Sequence, residues 1–162
     1  MPSGETPSQV YGQPRVGDTF AASGRPLTEE ELESFLIQVG DFHPVHADAE
    51  QAAASSFGER IAPGTLTLAY TLGLLPFDPD RIQVLRRISD VVFTRPVTIG
   101  DTLSIAGRVT AVVPGERGVS MVSLTLKTMN QHEELVCRSR VQVSWKGEDR
   151  PATSGGEGRD GA

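Results

Sequence analysis

Apolar residues recur along the chain with two different periods, and the change between them divides the sequence. From about residue 28 to residue 75 the spacing is three or four residues, as in a helix, and from about Val84 it is two, as in a half-buried strand. Thr28-Glu29-Glu30-Glu31 has the form of a capping box, and Gly40 is suited to end a helix. The residues between them predict an amphipathic helix with Leu32, Phe35, Leu36 and Val39 on one face.

Two further helices are predicted before the period changes. Asp48 and Gln51 form a second capping signature, for a short helix that reaches Phe57 and is closed by Gly58. Residues 64–75 (GTLTLAYTLGLL) are apolar on nearly every side, and Pro76 stops the run. A helix of this composition is expected to be buried on most sides.

The rest of the folded chain alternates apolar and polar residues. Three clear runs cover residues 102–113, 122–126 and 140–145, and two turn-forming segments, 114–118 and 130–132, separate them as hairpins do. The buried helix and the antiparallel strands that follow it must bury each other's apolar surfaces, because nothing else in the chain is apolar enough to do so. The pattern therefore predicts an α+β domain in which a sheet curls around a helix.

Composition narrows the class of protein. The chain has 162 residues, 38% of them hydrophobic, and a net charge of -6, which fits one domain with a single core. An acidic protein is a poor partner for nucleic acids, although arginines such as Arg86 and Arg87 could form a local basic patch for an anionic ligand. The single cysteine, Cys137, excludes an intrachain disulfide and fits a reducing compartment.

The two ends carry no targeting or core-forming pattern. Residues 1–15 are rich in Pro, Ser, Gly and Gln, and residues 146–162 contain no large apolar side chain. We expect both segments to be flexible, since neither can bury enough surface to offset the entropy of ordering, and we place the folded domain at residues 16–145. Without a secretory signal or a span of about 20 apolar residues, a cytoplasmic protein with no membrane contact is expected.

Residues 40–48 (GDFHPVHAD) concentrate chemistry in a short segment that contains two of the three histidines of the chain. Asp41 and His46 lie five residues apart around Pro44, so both could point at one water molecule and act as an acid/base pair. A metal site formed by His43, His46 and a carboxylate is an alternative, but no closed ligand set is evident. A polar turn without chemistry is the third interpretation.

Together with its flanking residues, this segment resembles the hydratase motif of the MaoC-like hot-dog proteins, the (R)-specific enoyl-thioester hydratases and dehydratases. The matching stretches are GDFHPVHAD, Phe57-Gly58, Ile61–Gly64, Phe93–Val97 and Gly100–Leu103. The resemblance extends over about residues 16–145. It implies a hot-dog fold, in which a long central helix is wrapped by a curled antiparallel sheet.

The resemblance also implies roles for individual residues. Asp41 and His46 match the catalytic pair, and Gly64 matches the glycine whose backbone N–H binds the thioester carbonyl. Asp48 matches a position that is structural, here as a helix N-cap. His43 replaces the usual asparagine, and we hypothesise that one ring nitrogen keeps the positioning role by bonding the turn or Asp41, while the ring can titrate near neutrality.

The activity implied by the resemblance is the reversible hydration of a trans-2-enoyl thioester, carried by coenzyme A or an acyl carrier protein, to the (R)-3-hydroxyacyl thioester. The Asp/His pair and Gly64 fill the required roles without a metal or organic cofactor. A homodimer with its active site near the interface is also implied. Two other functions remain open: a hot-dog thioesterase, which typically lacks this Asp/His pairing, and a non-catalytic subunit that binds acyl thioesters.

Overall fold

The computed structural model describes residues 12–147, which form five strands and four helices. In chain order these are β1 (Thr19–Pro26), α1 (Glu29–Val39), α2 (Pro44–Ala47), α3 (Ala49–Ala54), α4 (Gly64–Gly73), β2 (Ile82–Phe93), β3 (Thr102–Pro114), β4 (Val119–Met129) and β5 (Leu135–Lys146). Most of the two segments predicted to be flexible, 1–15 and 146–162, lies outside the described residues. No helix within residues 12–147 is both long enough and apolar enough to cross a membrane.

The five strands form one antiparallel sheet in the order β1-β3-β4-β5-β2. Strands β3, β4 and β5 are a meander joined by the two predicted hairpin turns, the first of which contains a 3₁₀ turn at Glu116–Gly118. Strand β2 does not continue the meander but lies at the far edge, paired with β5. Strand β1, which the sequence pattern did not predict, forms the opposite edge through its pairing with β3.

The helix α4 packs on one face of this sheet, and its contacts explain its position. Leu66 is buried with residues of α1, β3 and β5, and the Thr71 hydroxyl lies 2.8 Å from the Thr128 hydroxyl of β4. Thr71 also donates to the Thr67 carbonyl, so its polar group is satisfied inside the core. The opposite stripe of α4, formed by Thr65, Ala69 and Gly73, is exposed, so in the single chain the helix is less enclosed than its composition predicted.

The core consists of two adjoining clusters of buried side chains. One is centred on Trp145, whose ring meets Phe77 edge to face with centroids 5.7 Å apart, and Phe77 meets Phe20 at 5.0 Å. The other joins Leu32 and Leu36 of α1 to α4 and the sheet. The α+β architecture predicted from the two hydrophobic periods is therefore confirmed, with α1 and α4 packed on a five-stranded sheet.

The predicted capping box begins α1. The Thr28 hydroxyl accepts a hydrogen bond from the Glu31 N–H (3.2 Å), and the Glu31 carboxylate accepts one from the Thr28 N–H (3.0 Å). Arg25 forms an ion pair with the same carboxylate. The Arg25 side chain first, and the Thr28 N–H second, lower the pKa of Glu31 to about 2. The helix ends, as predicted, at Gly40, whose φ of 72° is left-handed.

Candidate active site

The motif GDFHPVHAD is more regular than its glycine and proline suggested. Pro44 occupies the first position of the one-turn helix α2, where a missing N–H costs no hydrogen bond, so the proline begins a helix instead of preventing one. Asp48 follows α2 and caps α3, because its carboxylate accepts from the N–H groups of Glu50 (3.0 Å) and Gln51 (2.9 Å). The bonds from Gln51 are the main cause that lowers the pKa of Asp48. The predicted N-cap role of Asp48 is confirmed.

Asp41 is held at the C-terminal end of α1. Its backbone N–H donates to the Leu36 carbonyl (3.1 Å), immediately after the left-handed residue Gly40. Its carboxylate accepts from the backbone N–H of His43 at 3.3 Å. The hypothesis placed a ring nitrogen of His43 in this position, but the main chain makes the bond instead. The half-buried carboxylate of Asp41 is therefore oriented by the turn itself.

The ring of His43 takes no part in the hydrogen bond to Asp41. It is exposed, and its centroid lies 5.9 Å from that of His46 at an interplanar angle of 56°. Within residues 12–147 its ring nitrogens have no hydrogen-bond partner. The structure therefore places His43 beside the candidate catalytic histidine as a neighbouring ring.

His46 is fixed in one tautomer by its hydrogen bond. Its Nδ1 lies 2.7 Å from the carbonyl oxygen of Ile61. Because a carbonyl only accepts, Nδ1 carries the hydrogen, and in the neutral ring Nε2 then holds the lone pair. The half-buried imidazole is thereby prepared to accept a proton at Nε2.

The segment that supplies this carbonyl is itself held on two sides. The N–H of Ile61 donates to the Val45 carbonyl in α2 (3.2 Å), and the N–H of Ala62 donates to the Val97 carbonyl (2.7 Å). Ile61 also forms an isolated antiparallel bridge with Thr98. These bonds tie the histidine turn to the residues that lead into α4.

Arg60 connects the same segment to α1 through ion pairs, which the sequence did not predict. Its side chain is only 10% exposed and pairs with Glu29 and, at 3.6 Å, with Glu33 on α1. The pairing joins the Ile61 segment to the helix that positions Asp41. Nothing in the local sequence marks Arg60, because its partner Glu29 lies 31 residues away.

Gly64 is the first residue of α4, directly after the N-cap Pro63. Its N–H finds no acceptor in the described part of the chain and lies at the positive end of the helix dipole. A Cβ at this position would lie 2.6 Å from Cε2 and 2.7 Å from Cζ of Phe93, at the end of β2. A side chain here would require the Phe93 ring to move, so Phe93 borders the site. The motif contained Phe93, but the sequence did not indicate a role for it.

Hydrogen bonds thus connect the turn of Asp41 and His46 to the segment that leads into Gly64. Asp41 and His46 flank a single turn, and His46 is bonded to Ile61, three residues before Gly64. His132 is separate, exposed in the hairpin between β4 and β5. In the described residues no three His, Cys, Asp or Glu side chains gather in a way that could hold a metal ion.

Comparison with known proteins places this arrangement in a family. Residues 12–131 match the family model described as the MaoC like domain. The chain belongs to the MaoC-like family. The family predicted from the motif is therefore confirmed.

Solved structures similar to this MaoC-like protein share its fold. The R-hydratase PhaJ1 from Pseudomonas aeruginosa is 30% identical, with a TM-score of 0.70 and 83% of each chain covered. The MaoC-like dehydratase from Rhodospirillum rubrum is 28% identical, with a TM-score of 0.73 over 84% of this chain and 95% of that one. The hot-dog fold expected from the resemblance is confirmed by these likenesses.

A curated relative agrees with the family. The 3-hydroxyacyl-thioester dehydratase Z from Mycobacterium tuberculosis is 30% identical over 129 residues, which cover 70% of this MaoC-like chain and 82% of the relative. Membership in a family of hydratases and dehydratases favours hydro-lyase chemistry over the thioesterase alternative.

Proposed function

We propose that this MaoC-like protein catalyses the reversible hydration of trans-2-enoyl thioesters to (R)-3-hydroxyacyl thioesters. The observation that carries the proposal is the hydrogen bond from His46 Nδ1 to the Ile61 carbonyl, at 2.7 Å. It leaves Nε2 free to act as a base in the turn that also orients the Asp41 carboxylate, and the same bond ties this turn to the segment that leads to the unbonded N–H of Gly64. The similarity to an R-hydratase and to a 3-hydroxyacyl-thioester dehydratase supports the same reaction class.

In the hydration direction, the Asp41 carboxylate accepts a hydrogen bond from a water molecule and orients it. His46 Nε2 takes the second proton of this water as its oxygen bonds to C3 of the enoyl group. The imidazolium then returns a proton to C2, which completes the addition and restores the neutral ring. A positioned acid/base group of this kind contributes roughly 10²–10⁴ in rate.

The N–H of Gly64 stabilises the negative charge that develops on the thioester oxygen during the addition. As the C3–O bond forms, electron density moves through C2 to the thioester oxygen, which accepts a hydrogen bond from the Gly64 N–H. The start of α4 favours this negative charge, and Phe93 beside it limits the access of water. A single donor of this type is worth about 2.7–4 kcal/mol in enzymes where one has been removed.

Crotonyl-CoA distinguishes this proposal from its rivals. We expect the absorbance of the conjugated double bond to fall without release of free thiol, and chiral analysis to give the (R)-3-hydroxy product. Release of free thiol would mean a thioesterase, and no turnover with measurable binding would mean a non-catalytic subunit. A His46→Ala variant is the control that separates the enzyme's activity from a contaminant.

The exposed edge of the sheet supports a homodimer as part of the same proposal. The edge strand β2 presents half-exposed apolar side chains, namely Val84, Leu85, Val92 and Phe93. Unpaired strand edges of this kind readily accept a second strand, so we propose that β2 of a second copy pairs here, close to Gly64. Sedimentation at micromolar concentration should give twice the chain mass of 17.3 kDa. A monomer would contradict the pairing without affecting the proposed chemistry.

A further inference from the structure

One stretch of the motif, Gly100–Leu103, has no part in the chemistry proposed above, yet both oxygens of its carboxylate are engaged in hydrogen bonds. Asp101 Oδ2 accepts from the Thr98 N–H at 2.9 Å and from the Thr98 hydroxyl at 3.3 Å. The Asp101 N–H donates back to the Thr98 carbonyl at 3.1 Å. Asp101 Oδ1 accepts from the side-chain amide of Gln131 at 2.8 Å, and the oxygen of that amide accepts from the Thr102 N–H at 3.1 Å. These bonds close the turn before β3 and tie it to the β4–β5 hairpin.

The turn closed by Asp101 supports the residue that orients His46. Thr98 forms an isolated antiparallel bridge with Ile61, and the residues next to them are joined by a main-chain bond of 2.7 Å. Ile61 presents the carbonyl oxygen that lies 2.7 Å from His46 Nδ1. A displacement of Thr98 therefore moves the oxygen that determines which ring nitrogen of His46 carries the hydrogen.

The same turn also supports the start of α1. Leu27 is 3% exposed and makes two main-chain bonds with the turn. Its N–H donates to the Asp101 carbonyl at 2.9 Å, and its carbonyl accepts from the Gly100 N–H at 2.8 Å. Leu27 directly precedes Thr28, the N-cap of the helix whose C-terminal end holds Asp41. The turn is therefore connected to both members of the proposed catalytic pair.

We propose that Asp101 is a positioning residue that keeps His46 in the Nδ1–H tautomer. Asp101 acts through Thr98 and Ile61 and has no direct part in the chemistry. Loss of its carboxylate removes the acceptor that holds the Thr98 N–H, so the turn can move away from Ile61. A weaker bond from Nδ1 lets the ring adopt the Nε2–H tautomer, in which Nε2 has no lone pair to accept a proton. The effect on turnover rests on the proposed function, whereas the tautomer is a property of the folded protein alone.

Nitrogen NMR of isotopically labelled histidine reads the tautomer directly, because the chain has only three histidines. At a pH where the rings are neutral, His46 of the wild type should give the Nδ1–H pattern, and the exposed ring of His132 is the internal reference. In Asp101→Ala we expect His46 to lose this pattern and to populate the Nε2–H tautomer. The same variant should lower kcat for crotonyl-CoA roughly tenfold and change KM by less than about twofold.

Two further variants separate positioning from a general loss of stability. Asp101→Asn keeps an oxygen that can accept from the Thr98 N–H, so it should retain the His46 pattern and most of kcat. Asp18 closes the same kind of turn at the other end of β1, since it accepts from the Arg15 N–H at 2.7 Å and donates to the Arg15 carbonyl at 3.0 Å. Asp18→Ala should lower the melting temperature as Asp101→Ala does, but leave the His46 spectrum and kcat unchanged.

Gln131→Glu is a second probe of the same hydrogen bonds, at an exposed residue outside the core. It replaces the donor to Asp101 with a like charge, so the tautomer and kcat should change in the same direction but by less. If Asp101→Ala does not fold, Gln131→Glu decides the question, and an unchanged His46 pattern in this variant then overturns the proposal.

The remaining outcomes separate the positioning role from the proposed function. An unchanged His46 pattern in folded Asp101→Ala, or a fall in kcat without a change of tautomer, would overturn the positioning role while the hydratase assignment stands. Loss of the His46 pattern in Asp18→Ala as well would do the same, because the effect would then follow stability. If the wild type does not turn over crotonyl-CoA, the proposed function fails, and the spectra still decide the role of Asp101.

Discussion

The sheet and the segment that carries the site, residues 28–64, are stabilised in different ways. In the sheet, alternate side chains of β3, β4 and β5 are fully buried, and packing determines the register. In the site segment, Asp41 and His46 are only half buried, and hydrogen bonds with main-chain groups orient them. The difference implies that residues of the site can be replaced at small cost in stability and large cost in activity, which is typical of loops that carry function on a rigid frame.

The largest effect is expected at the catalytic pair. Asp41→Asn and His46→Ala should each lower kcat for crotonyl-CoA at least hundredfold, because each removes a group that the proposed mechanism places on the reacting water. Their melting temperatures should stay close to that of the wild type, since neither side chain packs in the core.

Asp48→Ala, in the same motif, is the matched control for the pair. It removes the N-cap of α3, so it should cost about 1 kcal/mol of unfolding free energy and leave kcat within a few fold. Near-normal turnover in a folded Asp41 or His46 variant, or a hundredfold loss in Asp48→Ala, would reverse the roles of these residues.

A smaller effect is expected where α4 begins. Gly64→Ala puts a methyl group within 2.7 Å of the Phe93 ring, so the ring must move and the thioester oxygen loses its close approach to the N–H. We expect kcat to fall roughly tenfold, less than the roughly 10²–10³ lost when an oxyanion donor is removed outright, because the N–H itself remains.

The other end of the same helix provides the control for Gly64. Around Gly73 nothing lies within 4 Å of an added Cβ, so Gly73→Ala should leave kcat unchanged and stabilise the protein by up to about 1 kcal/mol. Steady-state kinetics and thermal melts of the two variants measure the contrast. Equal behaviour of both glycines would remove the argument for a special role of Gly64.

Arg60 tests how strongly the frame of the site depends on ion pairs. Arg60→Ala should lower kcat several fold and unfolding free energy by about 1–2 kcal/mol, because the mostly buried side chain joins α1 to the Ile61 segment. Arg60→Lys should restore part of both. The exposed pair of Arg95 with Glu134 on the strand side is the comparison, and Arg95→Ala should change stability by less than about 0.5 kcal/mol. A similar loss of unfolding free energy in both variants would show that the burial of Arg60 does not strengthen its ion pairs.

The smallest effect is the pH dependence of the cap of α1. The folded-state pKa of Glu31, about 2, lies below its ordinary value of 4.5, so the ionised group stabilises the fold above pH 4.5 and loses this contribution as pH falls towards 2. Glu31→Gln should therefore lower the melting temperature by a few degrees at pH 7 and by much less at pH 2. Glu30→Gln, on the same turn but outside the cap, should lack this dependence. A pH-independent difference for Glu31→Gln would contradict the pKa assignment.

The sequence predicted those features that depend on neighbouring residues. The capping box at Thr28, the N-cap at Asp48 and the end of α1 at Gly40 are local, and the structure confirms them. Strand β1 was missed because its eight residues include a single large apolar side chain, Phe20, so its strand character depends on pairing with β3. The position of β2 beside β5 depends in the same way on a distant partner.

In the site, too, the local features could be predicted and the long-range contacts could not. The turn that holds Asp41 and His46 could be located from the motif, but the carbonyl that orients His46 could not, because any residue at position 61 would supply one. The anchor at Arg60 was missed because its acidic partners are distant in sequence. Family membership locates the reaction class, whereas the roles of these residues rest on the variants described above.

The single tryptophan gives this molecule a built-in optical label. Trp145 is 1% exposed and lies edge to face with Phe77, in the core cluster on the sheet and outside the histidine turn. Its indole N–H is buried without an acceptor among the described residues, so its surroundings are apolar in the native state. Emission should shift to longer wavelength when the sheet core opens to water and stay constant when only the turn around His46 changes. Trp145 emission therefore reports the folding of the sheet core alone. Every variant of the site can be checked for intact folding in this way, without adding a dye.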